Sequence, residues 1–144
     1  MNTLIRKVVL TAASTLLVTG CNELRESHYA TSDAATKAGA FERGWLPVVL
    51  QPDITDIREW HDLDSNQVRG LFTINHTVLV RMQSECKKSS EVPPIEPAPE
   101  WWPRSKSEGE AETGVLVVHC GEFFVAIDGA NRTGYFWEDR SSLP

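Results

Sequence analysis

The sequence is short of basic residues and of long apolar runs, and each shortage excludes a class of protein. Its 144 residues include 14 Lys and Arg against 20 Asp and Glu, a net charge of -6, whereas a general nucleic-acid binder normally shows a basic face. The main apolar run covers only residues 8–18, and a membrane-spanning helix needs about 20 apolar residues. We therefore expect neither a nucleic-acid partner nor a permanent transmembrane helix.

Recognisable catalytic and cofactor motifs are missing as well. The sequence contains no G-x-S-x-G, no phosphate-binding loop and no dinucleotide-binding fingerprint. Its three cysteines include no C-x-x-C pair, and its four histidines lack metal-binding spacings. Ser84 and Lys87 match the S-x-x-K spacing of penicillin-recognising enzymes, but the partner motifs of that class are absent. We expect no cofactor and no metal, and we favour a protein without catalytic activity.

Residues 62–66 begin like a calcium-binding loop, with Asp62, Asp64 and Asn66 at alternate positions. The sixth position holds Gln67 where a glycine is needed, and the twelfth holds Thr73 where a bidentate Glu belongs. Asp and Asn also form tight turns without any ion. The segment is therefore interpreted as a hairpin turn.

Residues 1–20 have the layout of an export signal. Arg6 and Lys7 precede the apolar run, and Leu17-Val18-Thr19-Gly20-Cys21 follows it. This ending resembles the lipobox of bacterial lipoproteins, whose cysteine becomes the new N-terminus and carries acyl chains such as palmitate. The resemblance implies a lipidated Cys21, and an ordinary export signal that ends near a cysteine is the alternative.

A lipidated Cys21 implies a protein that contacts the membrane through its N-terminal lipid. Residue 22 is Asn rather than Asp, which resembles lipoproteins sorted to the outer membrane. We therefore expect an outer-membrane anchor with the folded part facing the periplasm. Removal of the signal would leave a more acidic chain, which anionic lipid head groups repel.

Two cysteines, Cys86 and Cys120, remain once Cys21 is assigned to lipid. Disulfides persist in oxidising compartments outside the cytoplasm. A bond between these two would close a loop of about 35 residues and stabilise the fold by ~4 kcal/mol in the chain-entropy model. We expect a structural disulfide, and two buried free thiols are the alternative.

The apolar pattern predicts a single α+β domain over residues 32–139, after a polar tether over 21–31 and before a tail over 140–144. The first predicted helix has Ser32 or Asp33 as its N-cap and ends at Gly44. The second has Thr77 as its N-cap and places Leu79, Met82 and Cys86 on its inner face. Strands are predicted over residues 54–63, 68–74, 115–120, 123–128 and 135–138. We expect one antiparallel sheet of about five strands with both helices packed on it.

Residues 89–112 form a Pro-rich loop, because five prolines lie there among Glu and Ser. Trp101 and Trp102 interrupt this loop just before Pro103. Adjacent indoles can stack on a glycan or anchor a partner protein, so they form the candidate binding site. The alternative is that the two indoles fasten the loop to the sheet.

His61 is the only histidine with several acidic neighbours, Glu59 and Asp62 among them. On a strand, His61 and Glu59 would share one face while Asp62 would take the other. A small envelope hydrolase that uses His61 predicts a concave pocket with a carboxylate within hydrogen-bond distance. A lone histidine is more often structural, which is the alternative.

Four short segments resemble a class of uncharacterised small bacterial lipoproteins: Gly44-Trp45-Leu46-Pro47, the hairpin over residues 56–66, Trp101-Trp102-Pro103, and a closing strand with Phe136 and Trp137. The resemblance covers most of residues 29–139 and supports the α+β layout without implying an activity. We expect a lipid-anchored, non-catalytic binding or accessory domain with an envelope protein or glycan as partner. Its acidity suits a basic partner, such as a toxin that it neutralises, and the hydrolase is the alternative.

Overall fold

A seven-stranded antiparallel sheet dominates the computed structural model, which describes residues 24–89 and 115–139. The strands, in chain order, are β1 (Leu24–Thr31), β2 (Thr55–Asp62), β3 (Gln67–Thr73), β4 (Lys87–Lys88), β5 (Val115–Cys120), β6 (Phe123–Asp128) and β7 (Thr133–Glu138). The helices are α1 (Ser32–Lys37) and α2 (His76–Glu85), with a short 3-10 turn over Val48–Leu50. Across the sheet the order is β1-β2-β3-β7-β6-β5-β4.

The prediction of an α+β fold with about five strands is wrong, because the described chain is mainly β. All five predicted strands are present, and β1 and β4 extend the sheet at its two edges. β1 lies within the segment that we predicted to be a polar tether. An edge strand exposes one row of backbone groups and tolerates charged side chains, so its sequence resembles that of a linker.

The first helix is much shorter than predicted. α1 ends at Lys37, and Gly39 then adopts a φ of +73°, a left-handed conformation that glycine accepts without steric cost. The chain continues through turns instead of running as a helix to Gly44. The start also differs, because Thr31 is the N-cap and its Oγ1 accepts a hydrogen bond from the Ala34 amide at 3.2 Å.

The second helix is close to its predicted position. Asn75 caps α2 by accepting a hydrogen bond from the Val78 amide at 3.0 Å, so the helix begins at His76, one residue before Thr77. Val78 and Met82 are its buried side chains. In the described part of the chain, no helix is long and apolar enough to cross a membrane.

Both helices and the connection over residues 38–54 pack on one face of the sheet, which we call the covered face. The cluster they bury includes, among others, Ile57, Val68, Phe72, Val125, Ile127 and Phe136. Two glycines make room for the largest rings: Gly70 pairs with Phe136, and Gly134 pairs with Phe72. A side chain at either glycine would overlap the opposing ring, so each phenylalanine lies across the backbone of the neighbouring strand.

Candidate functional site: a buried acid–imidazole pair beside an apolar groove

Glu59 and His61 both point to the covered face from the middle and end of β2. In the antiparallel register Glu59 lies opposite Ser27 of β1, and His61 lies opposite Arg25. Glu59 is fully buried, and only 4% of His61 is exposed to solvent. The prediction that these two side chains share one face is confirmed, and they are the most deeply buried acid–base pair among the described residues.

The third residue of the predicted grouping, Asp62, has a different role. Its Oδ1 accepts hydrogen bonds from the amides of Asp64 and Ser65 at 2.9 and 3.4 Å, and its Oδ2 accepts one from the Ser65 hydroxyl at 2.8 Å. The Ser65 hydroxyl is the main reason that the pKa of Asp62 lies below its usual value. Asp62 therefore shapes the β2–β3 turn, in agreement with the interpretation of residues 62–66 as a hairpin turn.

A short hydrogen bond joins the two buried side chains, with 2.5 Å between Glu59 Oε1 and His61 Nδ1. Burial raises the pKa of Glu59 to about 8, and the Ser27 hydroxyl and Arg43 only partly oppose this rise. Burial also lowers the pKa of His61, as do the positive charges of Arg43 and Arg25. At neutral pH the pair therefore holds one proton, and the Glu59 carboxyl donates it to the Nδ1 of a neutral His61.

Trp45 lies over His61 and separates it from the solvent. The indole and imidazole rings are stacked, with centroids 4.0 Å apart and planes 18° from parallel. The Arg43 guanidinium lies 3.9 Å from the centroid of Trp45, and it donates a 2.6 Å hydrogen bond to the Ala38 carbonyl. We call this arrangement of Arg43, Trp45 and His61 the stack.

The hydrolase hypothesis requires that His61 lie in a concave pocket and that a carboxylate be within hydrogen-bond distance of it. The described residues meet only the second condition. A carboxylate is within hydrogen-bond distance, but it belongs to Glu59, which shares the burial of His61. Neither of the two cavities described among these residues is lined by His61 or Glu59. The arrangement holds a proton between two groups rather than presenting a base to a substrate.

An open apolar groove lies beside this pair and has a volume of about 390 Å³. One wall comes from residues 41–49 and the other from the end of α2 and the β5–β6 turn. The apolar lining consists of Phe41, Leu46, Pro47, Val48, Val49 and Phe123, together with the two cysteines. Among the described lining residues, the charged ones are Glu85 and Glu122, and both are exposed.

The predicted disulfide between Cys86 and Cys120 is confirmed. Its sulfur atoms are 2.05 Å apart and its Cα atoms 4.8 Å apart, across a sequence separation of 34. It joins the end of α2 to the end of β5, which are not neighbours in sequence. Because both cysteines line the groove, the disulfide fixes the distance between two of its elements.

One segment, residues 41–49, builds both features. Gly44 and Leu46 line the groove, whereas Trp45 between them stacks on His61. The contacts of Trp45 with the buried pair therefore help to set where its two neighbours lie. Sequence reasoning missed the groove, although Gly44-Trp45-Leu46-Pro47 had been singled out, because its lining comes from segments distant in sequence.

The remaining predicted sites stay predictions. Cys21, Trp101 and Trp102 lie outside the described residues. Within residues 24–89 and 115–139, no group of three or more His, Cys, Asp or Glu side chains is arranged to hold a metal ion.

Comparison with known proteins relates only the first part of the chain to a family. Residues 23–73, or 51 of 144, match the family model of the YbbD head domain. The match covers α1 and β1–β3 and so includes the buried pair, whereas α2 and β4–β7 lie outside it. No curated protein and no solved structure matches the chain significantly. Over these residues the chain is similar to the head domain of the bacterial YbbD-like family.

Proposed function

We propose that the protein is a lipid-anchored, non-catalytic binding domain of the bacterial cell envelope, whose groove beside the disulfide holds a partner protein. The lipobox-like sequence at residues 17–21 supports the anchor on Cys21. Similarity to the YbbD head domain supports a bacterial, envelope-related protein. The presence of Asn rather than Asp at position 22 supports an outer-membrane anchor with the domain in the periplasm.

The groove is the single observation that carries the binding role. Its wall includes Val48, 68% of which is exposed, an unusual situation for a large aliphatic side chain beside a concave apolar surface. Apolar surface bordered by polar groups is typical of interaction sites. The disulfide stabilises the opposite wall, so that a partner meets a site that is largely preformed.

Charge identifies the kind of partner that fits. The charged groups among the described lining residues are two carboxylates, Glu85 and Glu122, and the whole chain carries a net charge of -6. A segment that combines an aliphatic side chain with neighbouring Lys or Arg would fill the apolar lining and pair with both carboxylates. The partner we propose is a basic protein segment, as a neutralised toxin would present.

The alternative, a small hydrolase based on His61, is less well supported by the geometry. Trp45 stacks on the imidazole and Glu59 occupies its Nδ1. A substrate would have to displace the indole before reaching the ring.

Two synthetic peptides of equal length, one alternating Leu with Lys and the other Leu with Glu, test the binding role. The protein is purified from membranes and held in zwitterionic lipid nanodiscs, with empty nanodiscs as the blank. Fluorescence anisotropy should detect binding of the Leu-Lys peptide and little binding of the Leu-Glu peptide. Equal binding of both peptides, or of neither, would contradict the proposal.

Matched variants locate the site. Val48→Ser removes exposed aliphatic surface from the groove, whereas Val80→Ser removes it from α2, where 50% of Val80 is exposed. We expect the Val48 variant to bind the Leu-Lys peptide roughly three- to tenfold more weakly and the Val80 variant to bind unchanged. Likewise, Glu85→Gln with Glu122→Gln should weaken binding, and Glu42→Gln, outside the described lining, should not.

A further inference from the structure

We propose that the Glu59–His61 pair and the stack form a pH-sensitive latch on the wall of the groove, so that the groove loses affinity for its partner at alkaline pH. This inference rests on the proposed function for its effect on binding. Its structural part, the movement of the wall, can be tested without any partner.

The geometry connects the pair to the groove through one residue. Trp45 stacks on His61 and lies under the Arg43 guanidinium, and its neighbours Gly44 and Leu46 line the groove. A change at the pair that displaces Trp45 must therefore move backbone that forms the groove wall.

Arg43 provides the force for this movement. In the state with one proton the pair is neutral, so the guanidinium can remain over the indole as a cation–π partner. After Glu59 loses its proton, a buried carboxylate lies within electrostatic range of Arg43. Because an unscreened buried anion attracts a nearby cation strongly, we expect the guanidinium to leave Trp45 for Glu59 and loosen the segment.

The charges that face the pair from the surrounding elements favour this outcome. β1 places Arg25 opposite His61 and the Ser27 hydroxyl opposite Glu59, while β3 places the uncharged Val68 and Gly70 opposite them. The connection over residues 38–47 contributes Arg43. Arg43 stabilises the ionised carboxylate but does not prevent burial from raising the pKa of Glu59 to about 8, which places the change in an accessible range of pH.

The variant Glu59→Gln isolates the latch, because its amide N–H can still donate to the His61 Nδ1 but cannot ionise. The structural test is hydrogen–deuterium exchange of the full protein in nanodiscs at pH 7 and pH 9, corrected for the intrinsic effect of pH. We expect protection of residues 41–47 to fall at pH 9 in the native protein and to remain in Glu59→Gln. Equal behaviour of the two proteins would overturn the latch, whether or not any peptide binds.

The binding test then follows the Leu-Lys peptide through the same pH range. We expect its affinity for the native protein to fall above pH 8 by up to about tenfold per pH unit, the limit for one linked proton. Glu59→Gln should lose this alkaline fall, while Glu42→Gln should keep it. If protection of residues 41–47 falls but no peptide binds at any pH, the latch stands and the proposed function fails.

Discussion

The two halves of the sheet use their buried positions differently. Residues 24–73, which form β1–β3 and α1 and fall within the YbbD head match, contain all the buried polar side chains of the described chain: Ser32, Glu59, His61 and Arg69. The half formed by α2 and β4–β7 buries aliphatic and aromatic side chains instead. The core of the first half therefore includes a titratable pair, whereas the buried core of the second half is apolar.

The groove and the disulfide lie where these halves meet. Residues 41–49 from the first half face the end of α2 and the β5–β6 turn from the second. A binding site assembled in this way combines a rigid wall, held by Cys86 and Cys120, with a wall that contacts a titratable pair.

The largest effect is expected from truncating the apolar half. Phe136 is fully buried and contacts the rings of Phe72 and Phe123, so Phe136→Ala should lower the free energy of unfolding by about 3–5 kcal/mol. Leu63→Ala is the control, because 50% of Leu63 is exposed, and it should change stability by less than about 0.5 kcal/mol. Urea denaturation measures both, and similar losses would show that Phe136 does not belong to a tightly packed core.

Removing the disulfide, which joins two elements of the apolar half, should have the next largest effect. The double variant Cys86→Ser with Cys120→Ser loses the constraint on the unfolded chain, and we expect it to be less stable by about 2–4 kcal/mol. Urea denaturation in the absence of reductant compares it with the native protein. Addition of reductant should destabilise the native protein and leave the double variant unchanged; no effect of reductant on the native protein would contradict the structural role.

The polar half should make stability depend on pH. A raised pKa means that folded Glu59 keeps a proton up to about pH 8, whereas the unfolded chain releases it near 4.5. A lowered pKa means that the unfolded chain protonates His61 near 6.5 and the folded one does not. From pH 6.5 to 8 the folded chain still holds the Glu59 proton while the unfolded chain holds neither, so stability falls as pH rises.

Glu59→Gln removes this dependence and is the control. Its stability should stay nearly level from pH 6.5 to 8, because its amide retains the hydrogen bond to His61 without titrating. Thermal unfolding at a series of pH values separates the two proteins. Parallel alkaline losses in both would place the responsible group elsewhere.

The smallest effect is expected from two turns of the same kind, one in each half of the sheet. Asp62 begins the β2–β3 turn and Asp128 the β6–β7 turn, and each accepts hydrogen bonds from amides two and three residues later. Each turn ends four residues after its Asp in a residue with positive φ, Asn66 at 53° and Arg132 at 55°. Asp62→Ala and Asp128→Ala should therefore each reduce stability slightly and to a similar extent. Chemical denaturation would reveal a large difference between them if the turns were not equivalent.

The sequence predicted features that depend on local pattern. Five strands follow from alternation and turn residues, and Glu59 and His61 share a face because strand residues two apart always do. The Cys86–Cys120 pairing could be found by elimination, since only two cysteines remained. The strand β1 could not be predicted from the sequence, because a polar edge strand is recognised only through its pairing with β2.

The candidate site depended on contacts that no local pattern contains. Trp45 stacks on His61, which lies 16 positions further along the chain. The lining of the groove comes from three separate segments. The early end of α1 follows from Gly39 in a left-handed conformation. A glycine within a helical stretch is a local signal for such an end.

The protonation state of Glu59 at neutral pH tests the central claim most directly. Infrared difference spectroscopy between the native protein and Glu59→Gln, recorded from pH 6 to pH 10, isolates the carbonyl stretch of a protonated carboxylic acid. We expect this band at pH 7 and its replacement by carboxylate bands as pH rises through about 8. A fully ionised Glu59 at pH 7 would contradict the neutral pair, and with it the pH-sensitive wall of the groove.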